Sequence, residues 1–123
     1  MSIIFTRSFR IITFVPPEYV ENVLEAVNHV DHLAYGDYTR VSWRSTPGIE
    51  RFKSQSNSHP TVGAVGKLSD VPSIRIEFSV PHSKKLLNDV ITALLLAHPW
   101  EEPVVLVHDT YEPRGMKKAL SNT

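Results

Sequence analysis

Residues 97–103 read Ala-His-Pro-Trp-Glu-Glu-Pro, so one short segment holds an imidazole, an indole and two carboxylates between two prolines. His98, Glu101 and Glu102 are the residue types that hold a divalent ion, since imidazole and carboxylate suit zinc, copper or manganese and a tight turn can gather them. The same residues also have an architectural reading. His98 then sets positive charge against a helix C-terminus, Trp100 plugs the corner where helix meets sheet, and the glutamates cap or pair at a subunit edge. The architectural reading is the simpler one, and the metal set stays a weak candidate.

Other constellations are weaker. His29 and His32, with Asp31 between them, lie well off the apolar stripe of the helix that should contain them and read as a solvated pair. Gly63 and Gly66 could bring backbone amides to a phosphate, but neither the phosphate-loop spacing nor the dinucleotide fingerprint is present, so bulges are expected there. Lys67, with Arg40, Arg44, Arg51 and Lys53, could form an anion site between subunits; the alternative is a solvated strand face. Ser54, Ser56, Ser58 and His59 supply nucleophile and base types without a strained elbow or an orienting acid, so no hydrolase triad is read. Arg114, Lys117 and Lys118 make a short basic tail after Pro113.

These groups must be positioned by one domain. A chain of 123 residues buries roughly two-thirds of its unfolded surface and needs no staples. It has no cysteine, which excludes disulfides, thiolate metal sites and cysteine nucleophiles. Thirteen basic residues balance thirteen acidic ones, so no bulk field draws it to nucleic acid or an anionic membrane. The apolar run at residues 11–15 is too short to span a bilayer and lacks a cleavage pattern. A soluble, unprocessed, cytoplasmic protein follows as the expectation, with no nucleic-acid or membrane partner and no cofactor.

Residues 8–15 read as a strand ended by Pro16 and Pro17, and Val20, Val23, Leu24, Val27 and Val30 then form one stripe of about 120° on a helix. Residues 38–45 and 49–52 suggest a hairpin arm, residues 53–60 are polar, and residues 62–68 read as a broken strand. Residues 73–80 alternate cleanly, with Ile74, Ile76, Phe78 and Val80 on one side. Ser83 then caps a second helix whose Leu86, Leu87, Val90, Ile91, Leu94 and Leu95 spread over about 180°, implying burial on two sides. A last strand starts at Val104.

This order is that of an α+β, ferredoxin-like split βαβ sandwich: an antiparallel sheet, two helices on one face and an extra β-hairpin arm. Residues 1–123 form a single domain, with a core of about 8–111 and a flexible tail over 112–123. The first and third long strands are central neighbours, which places Ile12 and Phe14 beside Arg75 and Glu77 on the face without helices. A mixed apolar and charged open face points to self-association.

Three segments, residues 14–20 (Phe-Val-Pro-Pro-Glu-Tyr-Val), 60–68 (Pro-Thr-Val-Gly-Ala-Val-Gly-Lys-Leu) and 97–103, resemble one family. It is the inserted PII/CutA-like domain of the NGG-interacting-factor-three-like dinuclear-metal proteins, also known as GTP cyclohydrolase 1 type 2 homologues. Tyr35, Gly36, Asp37, Tyr38 and Phe52 match that domain's turn and arm, so the similarity covers about residues 9–111. The family usually has tyrosine where this chain has Trp100, and its metal-binding halves are not in this sequence, so no metal ligand carries over. The resemblance implies a PII/CutA-like fold, a homotrimer and an insert that stands alone, without the hydrolase chemistry. The function expected is a non-enzymatic scaffold or sensor. The alternative is a regulator binding a small molecule or divalent metal in clefts between subunits through His98, Trp100, Glu101, Glu102, Arg44 and Lys67.

Overall fold

The β-branched and aromatic residues of the first segment form β1 (Phe5–Val15), which starts three residues earlier than the sequence pattern suggests because Phe5, Thr6 and Arg7 pair with the end of the last strand. The computed structural model describes residues 3–56 and 63–115. Pro17 opens a 3-10 turn, Pro17–Tyr19, that feeds α1 (Val20–Val30). Val20, Val23, Leu24 and Val27 are buried, as the stripe predicts, while Val30 is half-exposed.

Two short strands follow, β2 (Trp43–Arg44) and β3 (Gly48–Lys53), then the long β4 (Leu68–Pro81), α2 (Lys84–Ala97) and β5 (Val105–Pro113). The sheet runs β2-β4-β1-β5, entirely antiparallel, with β3 also on β4. β1 and β4 are central neighbours, as expected. Phe9, Ile11 and Val15 lie opposite Val80, Phe78 and Ile74, and both helices cover that side with Val20, Val23, Val27, Val90 and Leu94. The α+β sandwich with two helices on one face is therefore the fold.

Some expectations are corrected. The arm is not a hairpin of residues 38–45 with 49–52: β3 pairs with Leu68–Ser73 of β4, and only Trp43 and Arg44 of the earlier segment join the sheet. Residues 32–41 form a loop instead, with Leu33 and Arg40 at positive φ and the amides of Arg40 and Val41 bonded to the carbonyls of His32 and Leu33. The expected break over residues 62–68 ends at Leu68, where β4 begins; Val62 lies outside the described residues, as do Pro60 and Thr61.

Helix α2 is buried on one side only within the chain, since Leu95 is 43% and Leu96 83% exposed. At the start of the expected tail, Glu112 and Pro113 are strand, the Arg114 amide bonds to the Ile4 carbonyl, and its guanidinium stacks 3.6 Å from the Tyr35 ring centre. Lys117 and Lys118 lie outside the described residues.

The helix-free face does carry Ile12, Phe14, Arg75 and Glu77, but Ile12 is not bathed in solvent: it is 7% exposed. Glu77 stands directly across from it and holds both Arg10 and Arg75 in ion pairs that surround it. The open apolar surface sits at the two ends of the same row, at Trp43 and Leu106, which are 50% and 45% exposed. Among the described residues no helix is long and apolar enough to cross a membrane.

Candidate functional site

The corner at residues 97–103 is built from the helix that enters it. Ser83 caps α2 by accepting from the Leu86 amide at 3.2 Å, and the helix ends at Ala97 because Pro99 drives His98 to an extended ψ of 137°. The His98 amide closes the last turn on the Leu94 carbonyl at 3.0 Å.

Its ring is then fixed twice. Nε2–H donates to the Phe14 carbonyl at 2.7 Å, and Nδ1 accepts the Trp100 amide at 3.1 Å. A carbonyl only accepts and an amide N–H only donates, so the ring is the neutral Nε2–H tautomer. Burial holds its pKa below the ordinary 6.5, outweighing the Phe14 carbonyl, which favours the charged form. The positive charge expected at this helix end is therefore absent, and both ring nitrogens are committed within the chain.

Trp100 tilts against His98 at 5.3 Å between ring centres and against Phe52 at 6.2 Å, so it joins the corner to the arm. Beside it opens a cleft of about 350 Å³, lined by Pro16, Pro17, Glu18, Tyr19, Val71, Pro72, Pro99 and Trp100. Glu101 and Glu102 are exposed and do not line it. Among the described residues no group of three or more His, Cys, Asp or Glu side chains gathers as a metal site would require.

The basic residues do not converge either. Arg40 pairs with Glu25 and Arg44 with Glu21, each at 2.7 Å, which ties the loop and β2 to α1. Arg51 grips Asp70 with two hydrogen bonds across the arm, which with their mutual attraction keep Arg51 above and Asp70 below their ordinary pKa values. Lys53 and Lys67 are exposed at the arm's end. Gly63, at φ +82°, is required by close approach, since a Cβ there would overlap the Ser69 side chain.

His29 is exposed on α1, whereas His32 lies beyond the helix, whose cap residue Asp31 accepts the Leu33 amide at 3.0 Å. Ser54 bridges to Val65, while Ser58 and His59 lie outside the described residues. Sequence reasoning missed Glu18, Tyr19, Val71 and Pro72 as walls of the cleft. The paired prolines before Glu18 were the available signal, because they force the chain to turn beside the second proline corner.

No family model matches the chain. A GTP cyclohydrolase 1 type 2 homolog of Listeria monocytogenes is 35% identical over 113 residues, which are 90% of this chain and 29% of that protein. The chain thus spans under a third of the length of the curated relatives it matches. Among solved structures, a Bacillus cereus protein related to NIF3 superposes with a TM-score of 0.72 at 25% identity, covering 93% of this chain and 28% of the other. CutA1 from Shewanella sp. SIB1 superposes with a TM-score of 0.63 over 92% of this chain and 90% of its own, at 10% identity, a likeness of fold alone. The resemblance read from three short motifs holds across most of the sequence, and the fold is CutA-like.

Proposed function

Because the chain resembles one segment of the GTP cyclohydrolase 1 type 2 homologues and folds like CutA1, we propose that it is a non-enzymatic module that self-associates, as a homotrimer, and serves as scaffold or sensor. The observation that carries this reading is the row Trp43, Glu77, Ile12 and Leu106 across the helix-free face, apolar and open at both ends. Hiding the exposed half of Trp43 and of Leu106 against a second copy is worth on the order of 1 kcal/mol for each side chain. A symmetric assembly repeats that gain at every interface. The non-enzymatic part is supported by how these groups are used: His98 is spent on two backbone bonds, and Arg40, Arg44 and Arg51 on carboxylates.

Sedimentation velocity at micromolar concentration tests the reading. The chain should run as a trimer, and Trp43→Glu with Leu106→Glu, which sets carboxylates beside Glu77 and Ile12, should run as a folded monomer. A wild-type monomer at that concentration would refute the proposal.

A further inference from the structure

The cleft beside Trp100 has a chemical character that assembly through the sheet face leaves unused. Its walls are proline and valine, two aromatic rings belong to it, and its single charged group is the carboxylate of Glu18. No Lys or Arg lines it. Glu21 and Glu25, farther along the same helical segment, are held by Arg44 and Arg40, but Glu18 has no ion pair among the described residues.

Two physical terms then point the same way: a carboxylate with no ion pair among the described residues attracts a cation, and the rings of Tyr19 and Trp100 that line the cleft offer cation–π stabilisation. Glu18 lies in the 3-10 turn that precedes α1, so its carboxylate also lies by the positive start of that helix and offsets what an anion could gain from it. With no Lys or Arg in the lining an anion meets no charged partner, and a lone carboxylate does not make a metal set.

The cleft is also preformed. Pro16, Pro17, Pro72 and Pro99 fix their own backbone φ, and the Trp100 amide is tied to His98, so little ordering is left for a ligand to impose. Its volume lies at the lower end of the range of about 300–1,000 Å³ typical of small-molecule sites.

We propose that this cleft binds a small organic cation, a guanidinium or alkylammonium group on an apolar stem, with the charge between Glu18, Tyr19 and Trp100 and the stem on the prolines. The occupant is a free small molecule and not a strand or helix of a partner, since a cleft of about 350 Å³ is in the small-molecule range and either element needs an extended groove.

The test uses the full chain carrying Trp43→Phe, which leaves Trp100 as the sole indole of the two in the sequence. Butylguanidinium chloride is titrated while Trp100 fluorescence and amide shifts are followed, with pentanamide as the neutral and pentanoate as the anionic control. Butylguanidinium should give a saturable change at millimolar concentration, with shifts at Glu18, Tyr19 and Trp100, and the two controls should give none. Glu18→Gln, an isosteric change at an exposed position, should weaken binding about tenfold while circular dichroism shows the fold retained. An unsaturable response, equal affinity for pentanamide, or unchanged affinity in Glu18→Gln would each overturn the proposal. Oligomer mass is read separately, so failure here is distinct from failure of the trimer.

Discussion

A ring nitrogen that already accepts an amide hydrogen cannot take up a proton without breaking that bond, and this gives His98 a consequence for stability. Its folded pKa lies below the ordinary 6.5, so on acidification the unfolded chain binds a proton that the folded chain refuses. Stability therefore rises with pH across the window from the depressed folded value up to about 6.5, is fully present above it, and declines as pH falls through it. Urea midpoints measured from pH 7.5 to 5 should fall more steeply for the wild type than for His98→Gln, because the substitution removes this ring's proton linkage. Parallel slopes would show that the ring is not held neutral. The residue was conspicuous in the sequence between Ala97 and Pro99, but its role was not readable there. The tautomer is chosen by the Phe14 carbonyl, 84 positions away, and no local spacing encodes that partner.

Secondary structure was legible where one physical signal acted alone. The alternation of residues 73–80 gave the core half of β4, and Ser83 gave the start of α2 through the hydroxyl that now accepts the Leu86 amide. The arm was misread because Asp70 and Pro72 interrupt the alternation of Leu68–Ser73, so its partnership with β3 shows only in the pairing of Ile49 with Pro72 and Arg51 with Asp70. On α2 the apolar arc is wider than the surface the chain itself covers: Leu94 is fully buried, Leu95 at the edge of the arc is 43% exposed, and Leu96 beside it is almost wholly exposed. Leu94→Ala should cost about 2–5 kcal/mol in denaturant unfolding. Leu96→Ala should stay within about 0.5 kcal/mol if that side faces water in the assembled protein. A comparable loss at both positions would place the outer side of α2 inside an interface and move the assembly surface from sheet to helix.

At the scale of the whole molecule the sheet is asymmetric. One face is closed by two helices, and the other is a mixed row whose centre, Ile12, is shielded by Arg10, Glu77 and Arg75 while its ends stay open. Such a face is shielded at its middle and leaves apolar surface open at its two edges, which the proposed assembly would cover. If folding and assembly are coupled in this way, thermal stability must depend on protein concentration by mass action. For a trimer that unfolds to three separate chains, each tenfold rise in concentration adds two-thirds of about 1.4 kcal/mol per chain, roughly 0.9 kcal/mol. For a domain of this size that is a rise in Tm of a few degrees per decade, readable by calorimetry or dichroism. The chain carrying Trp43→Glu and Leu106→Glu should unfold at a Tm independent of concentration. A wild-type Tm that is equally flat would mean that the open row is covered by nothing that matters to folding, and the sheet face would lose its claim as the assembly surface.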